Sequence, residues 1–194
     1  MRQEDKKRFA NIGAIYTDRL KLRALCRADA EDVYEYASDP RVSEYLLWNP
    51  HESLEQSRAY LMLIEKKYKR YQYYDWGIEY QGKIIGTCGF TSFSVENNSA
   101  EIGYVINSAY WGRGIAVEAV KRVIEFGFDE LLLNRIEGRY MAANERSLSV
   151  MKKCGMTLEG IYRKAMYVKG MYRDIGVASI LREEYISSKK LGTF

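Results

Sequence analysis

Residues 100–129, AEIGYVINSAYWGRGIAVEAVKRVIEFGFD, run from an apolar strand through a short loop into Gly112-Arg113-Gly114 and then along an amphipathic helix. The first helical turn has backbone N–H groups without intrahelical partners, and the macrodipole adds about half a positive charge there. A phosphate satisfies both. Glycines at 112 and 114 remove Cβ atoms that would keep a diphosphate from the backbone, and Arg113 adds positive charge. Taken alone, the glycine pair also fits a plain tight turn.

Working outward, the periodicity changes in an orderly way. Before the quoted stretch, DWGIEY (75–80), a Gln81-Gly82 turn, KIIGTCGFTSF (83–93) and a turn at 96–99 read as an antiparallel meander that ends in the strand 100–106. Further upstream, Leu20, Leu22 and Leu25 mark a first strand. Asp29 is placed to cap a helix through Ser38, where Asp39-Pro40 stops it, and a second helix runs from near Ser53 to about Arg70. Downstream, 135–142 reads as a strand, 144–154 as a short helix, and 157–168 with 172–181 as a closing hairpin across Lys169-Gly170. The strand-helix-strand step from Ala100 to Ala142 implies parallel strands joined by a right-handed crossover. These elements predict an α+β fold: a mixed, predominantly antiparallel sheet of about seven strands with helices on both faces. Residues 1–16 read as an arm, 17–185 as one domain and 186–194 as a tail.

Composition bounds the function. At 194 residues, 47% hydrophobic and with two prolines, the chain suits one globular domain with a sizeable core. A net charge of +4 and a pI of about 8.8 are too weak and scattered to imply direct nucleic-acid binding, though they suit a polyanionic ligand or an acidic partner. No secretory leader is evident, and no apolar run approaches the roughly 18 residues a membrane span needs. That predicts a cytoplasmic protein without membrane association. Cys26, Cys88 and Cys154 form no C-x-x-C and read as buried or half-buried free thiols. His51 is the single histidine, which argues against a zinc site or a Ser-His-Asp triad; no metal is expected.

The segment 111–116, Trp-Gly-Arg-Gly-Ile-Ala, resembles the Q/R-x-x-G-x-G/A phosphate loop of the GNAT N-acetyltransferases, with Trp in place of Gln/Arg. Other stretches resemble the RimJ/RimL-type branch in order along residues 17–185. They are Thr17-Asp18-Arg19-Leu20 with Leu22-Arg23, Asp39-Pro40, Ala100-Glu101-Ile102-Gly103-Tyr104, Asn144-Glu145-Arg146-Ser147 and Lys153-Cys154-Gly155-Met156. Gly160, Arg163, Tyr167, Gly170, Tyr172 and Asp174 resemble that branch's last hairpin.

The resemblance implies acetyl-CoA as donor. It implies a strand that splays from its neighbour, so that Tyr104, Val105 and Ile106 pair through their main chain with the pantetheine. Trp111, Gly112, Arg113, Gly114, Ile115 and Ala116 would form the pyrophosphate loop, Asn144 would bond the pantetheine, and Ser147 would face the thioester sulfur. From the residues alone, Asn144 is equally a helix N-cap and Ser147 equally exposed helix surface.

Acetyl transfer to an amine needs a base for the amine proton, a stabilised oxyanion and an acid for the leaving thiolate. Glu101, on the cofactor strand, is the candidate base, with a surface or ion-paired carboxylate as the alternative; Ser147 is the candidate acid, with one of the 17 tyrosines as a substitute. Some RimL-like relatives carry a glutamate just before the tyrosine matching Tyr167, where this chain has Met166. Tyr45 and Trp48 are candidate acceptor contacts. The expected acceptor is a primary amine, foremost a ribosomal or other protein N-terminus. A polyamine or aminoglycoside acceptor, a non-catalytic CoA-binding domain and a homodimer remain open. A dinucleotide-binding domain fits poorly, because G-x-G-x-x-G and repeated βαβ units are lacking.

Overall fold

The computed structural model describes residues 13–69 and 74–194. Eight strands form one sheet: β1 (Ile15–Tyr16), β2 (Lys21–Arg23), β3 (Tyr74–Tyr80), β4 (Lys83–Ser94), β5 (Ser99–Ile106), β6 (Arg135–Met141), β7 (Thr157–Val168) and β8 (Met171–Leu181). Their order is β1-β2-β3-β4-β5-β6-β8-β7, every pair being antiparallel except β5 with β6. The sheet thus has one strand more than the seven read from sequence. The addition is β1, whose two residues are too short to carry an alternation.

The helices are α1 (Ala30–Ala37), α2 (Pro40–Ser43), α3 (Leu54–Lys69), α4 (Ile115–Asp129), α5 (Glu145–Lys153) and α6 (Arg182–Lys190). Strand alternation sorts them onto two faces. Ile84 and Ile85 are neighbours in β4, yet Ile84 packs with Val33, Leu61 and Ile64 of α1 and α3, whereas Ile85 belongs to the cluster holding Ile115, Val120 and Ile124 of α4. Helix α4 lies tight on the sheet. A Cβ at Gly127 would come within 2.7 Å of Ile136 Cδ1, so glycine is what lets the backbone approach β6.

Two local readings change. Asp39-Pro40 ends α1 but also starts α2, with Asp39 accepting from the Arg41 amide and Pro40 in the first turn, where a missing N–H costs nothing. Asp29 sits at the N-cap of α1 without capping it; its carboxylate turns back to accept from the Cys26 amide at 2.8 Å and from both Arg23 nitrogens at 2.8 and 2.9 Å. Most of the arm expected over residues 1–16 lies outside the described residues, as does Arg70, the expected end of the second helix. The segment expected as a tail begins inside α6, and Phe194 packs edge-on against Tyr185 at 4.9 Å. Cys88 and Cys154 are buried thiols, but Cys26 is exposed, because the turn that begins there faces outward.

Candidate functional site

The parallel pairing of β5 with β6 runs only from Ser99↔Arg135 to Ile102↔Gly138. Beyond Ile102, β5 stays paired with β4 as far as Ile106, so residues 103–106 keep a main-chain edge that β6 does not cover. Across that gap the Tyr104 hydroxyl lies 2.8 Å from Ser147 Oγ and donates to the Ser147 carbonyl at 2.9 Å. Burial raises the Tyr104 pKa, against the bond to Ser147. Asn144 is the N-cap of α5, its Oδ1 accepting from the Ser147 amide at 3.1 Å. That satisfies the capping alternative and leaves the side-chain NH2 for another partner. Of the three strand residues read from sequence, Ile106 already has its carbonyl engaged, accepting from Trp111 Nε1 at 2.8 Å.

The loop that follows is held on several sides. Asn107 is buried; its side chain accepts from the Ala109 amide at 3.0 Å and donates to Glu35 at 2.9 Å, and its amide donates to the Ile85 carbonyl at 2.7 Å. Ser108 bonds Asp39, which Arg41 and Ser108 together hold well below the usual carboxylate range. Gly112 and Gly114 adopt φ of 76° and 77°, in the left-handed region. Gly114 is the N-cap of α4 and no side chain caps that end, so its first-turn amides stay available to a ligand. A Cβ at Gly112 would meet nothing within 4 Å, whereas one at Gly114 would lie 3.6 Å from Arg19 Nη2.

Arg19 braces the same turn. It donates to the Arg113 carbonyl at 3.1 Å and to Glu118 of α4 at 2.6 Å. Burial would raise the Glu118 pKa, but hydrogen bonds from Thr17 and Arg19 hold it below its ordinary value. A carboxylate that would repel an anion at this helix start is thereby neutralised. The Arg113 guanidinium lies 5.2 Å from the Tyr110 ring centre, and that of Arg146, from α5, lies 4.8 Å from the Trp111 ring centre. Neither Asn107 nor the Arg19 brace was identified from sequence, although a polar Asn closing an apolar strand was a signal available there.

Glu101 lies on the other face of β5. Its neighbours Ala100 and Ile102 belong to the cluster under α4, so alternation turns Glu101 the opposite way, where Arg139 Nε stands 3.7 Å from its carboxylate. Burial raises the Glu101 pKa, Arg139 opposes this and Glu137 adds to it. On that face Arg135 binds Glu137 and Glu159, and Arg139 binds Glu137, forming a line of charges that ends at Glu101. Glu101 and Ser147 therefore flank the open edge from opposite faces of the sheet.

The two aromatic acceptor candidates separate. Tyr45 packs with Met141, Val168 and Ile175, so it spans from the end of α2 to the β8 side of the cleft. Trp48 packs on the α1–α3 cluster with its ring 5.7 Å from that of His51. His51 Nδ1 lies 2.8 Å from the buried Ser57 hydroxyl. Met166 stands beside the Tyr45 cluster, where it offers no carboxylate. Lys169, at the hairpin tip, donates to the Ser43 carbonyl at 2.6 Å and ties the β7–β8 turn to the end of α2. Among the described residues, no group of His, Cys, Asp and Glu is arranged to hold a metal, and no helix is long and apolar enough to cross a membrane.

Comparison with known proteins places this geometry in context. The family described as Acetyltransferase (GNAT) domain matches residues 19–157. The uncharacterized N-acetyltransferase p20 of Bacillus licheniformis is 35% identical over 176 residues, covering 88% of this chain and 97% of its own. YdaF of Bacillus subtilis, a presumed ribosomal N-acetyltransferase, is 28% identical over 89% of this chain and 96% of its own; spermidine N(1)-acetyltransferase of Escherichia coli K12 is 26% identical over 88% and 90%. A GNAT-family acetyltransferase structure from Bacillus anthracis superposes with a TM-score of 0.78 at 29% identity, covering 88% of this chain and 99% of its own.

Proposed function

This chain belongs to the GNAT acetyltransferase family, and we propose that it is of the RimJ/RimL type and moves the acetyl group of acetyl-CoA onto a protein or peptide N-terminal amine by direct attack in a ternary complex. The observation that carries the reading is the parting of β5 and β6 after Ile102, which leaves a main-chain edge running from the uncapped start of α4 to the Tyr104–Ser147 pair. The residues fit the donor. In this reading the amides from Gly112 to Ala116 bind the diphosphate, Arg113 and Arg146 add charge, and the edge at Tyr104 and Val105 pairs with the pantetheine. Acetyl-CoA supplies the activated acyl group.

The chain's own groups then handle protons. Glu101 takes the amine proton directly or through water, helped by a pKa that burial has raised toward the working pH. Ser147 gives its proton to the departing sulfur and is held in place by the Tyr104 hydroxyl. An α-amine with pKa near 8 is roughly a tenth neutral at pH 7, whereas a lysine is neutral about once in a few thousand molecules. A single partly buried carboxylate suits the first far better. The similarity to YdaF supports a protein acceptor, and the similarity to the spermidine enzyme keeps a small amine as the second reading.

The test is CoA release from acetyl-CoA across peptides of varied N-terminus, spermidine and aminoglycosides. Turnover confined to peptides supports the reading. Turnover on spermidine alone replaces it with the second, and acetyl-CoA binding without release on any amine overturns both.

A further inference from the structure

On β6 and β8, three arginines stand on the face of the sheet that carries Glu101, and one of them is unlike the others. Arg135 is held by Glu137 and Glu159, and Arg139 by Glu137 and Glu101. The Arg173 side chain forms no hydrogen bond or ion pair among the described residues, and its Nε is buried without a partner. A buried guanidinium N–H left unpaired carries its full desolvation cost, and such orphans in a packed structure call for an explanation.

Arg173 stands two residues before Ile175 in β8, so it shares the face on which Ile175 packs with Tyr45 and Met141. Its charge is felt by groups arriving from other elements. Burial and Arg173 together hold the Lys169 ammonium below its ordinary pKa against the pull of Glu44, and Glu44 holds the Tyr45 hydroxyl above its ordinary pKa against Arg173 and Arg146. Arg173 thus lies within electrostatic reach of Tyr45 and Lys169, and the Lys169 ammonium is engaged by the Ser43 carbonyl at 2.6 Å. Asp174, next in the chain, is used elsewhere, accepting from the Lys164 amide at 2.7 Å.

We propose that Arg173, backed by Lys169, forms an anion subsite of the acceptor cleft, so that the amine acceptor carries a carboxylate close to its amino group. The proposal rests on the acetyl-transfer reading above and narrows it. A guanidinium offers N–H donors to a carboxylate, and the terminal nitrogens of Arg173, which bond no described residue, would supply them. A polyamine presents only like charge to this corner and is disfavoured. The carboxylate has two sources: an acidic side chain near a peptide N-terminus, or the α-carboxylate of a free amino acid.

The experiment measures CoA release by the full chain with matched acceptors: a peptide beginning with Asp against the same peptide beginning with Asn, a free amino acid against its amide, and spermidine. The wild type should favour the acid of the productive pair by roughly tenfold or more in kcat/KM. Arg173→Ala should erase that preference through the acceptor KM while leaving the acetyl-CoA KM unchanged; Arg173→Lys should restore part of it and Arg173→Glu should invert it. Whichever pair shows the effect identifies the source. Should Arg173→Ala fail to fold, the conservative Arg173→Lys and the loss of the wild-type preference with added salt carry the test. Equal rates for acid and amide in the wild type, the same preference in Arg173→Ala, or a preference for spermidine overturns the subsite while acetyl transfer stands. No CoA release with any acceptor overturns the transfer reading and the subsite with it.

Discussion

Replacing Gly112 with alanine separates what the phosphate loop needs in order to fold from what it needs in order to bind. At φ 76° an L-residue pays the left-handed penalty, roughly 1–2 kcal/mol, and no clash adds to it because the new methyl meets nothing within 4 Å. For a chain of this size 1 kcal/mol corresponds to about 2–4 °C in Tm, so the free protein should melt roughly 2–8 °C lower. The open space that spares the free protein is the space a diphosphate would use, so the affinity for CoA should fall by more than the stability change explains.

Gly114→Ala is the internal comparison. Its φ is 77°, so its stability cost should match, but its methyl would lie against Arg19 Nη2 at 3.6 Å rather than in open space. Its loss of CoA affinity should therefore be the smaller of the two. Differential scanning calorimetry reads the first quantity and isothermal titration with CoA the second. Wild-type CoA affinity in Gly112→Ala would refute the assignment of the loop as the diphosphate site, and a wild-type Tm would refute the fixed left-handed turn on which the argument rests.

Glu101→Gln should lower kcat by roughly a hundredfold or more. Burial raises the Glu101 pKa, so the wild-type kcat should be lost as pH falls through a value above the ordinary glutamate range, and the variant should lack that limb. Arg139→Ala removes the opposing charge and should move the limb to higher pH; an unmoved limb would assign it to another group. Ser147→Ala should slow transfer far more than it weakens acetyl-CoA binding, whereas Tyr104→Phe, which removes the hydroxyl partner of Ser147, should give a smaller rate loss and about 1 kcal/mol of destabilisation by thermal melting. Asn107→Ala strips the acceptor from the Ala109 amide and the donor to Glu35, and should cost about 2 kcal/mol together with CoA affinity. A wild-type melting curve would show that the loop is held without Asn107.

What could be read before folding, and what could not, divides along a physical line. The meander, the crossover and α4 show themselves through local periodicity, and the phosphate loop through two glycines ahead of an uncapped helix, because backbone groups supply both the structure and the anion site. Helix α6 was hidden because its sequence REEYISSKK is polar apart from the exposed Ile186 and Tyr185, which stacks on Phe128 at 4.9 Å and donates to Asp129. Asp39-Pro40 read as a stop because helix propensity cannot tell an end from a new first turn. Contacts between side chains distant in sequence left no local trace. Tyr104 and Ser147 are 43 residues apart, Asn107 and Glu35 72, and Arg19 and Glu118 99.

The donor half of the site belongs to the first kind and the acceptor half to the second. In the proposed reading main-chain amides bind the diphosphate, whereas the amine would meet Tyr45, Arg139 and Arg173, which come from different parts of the chain. A change of acceptor between relatives can therefore occur at those residues without disturbing the loop. Exchanging Arg173 should then alter which amine is used while CoA affinity stays where Gly112 and Gly114 set it, and a variant in which both moved together would show that the two halves are not separable.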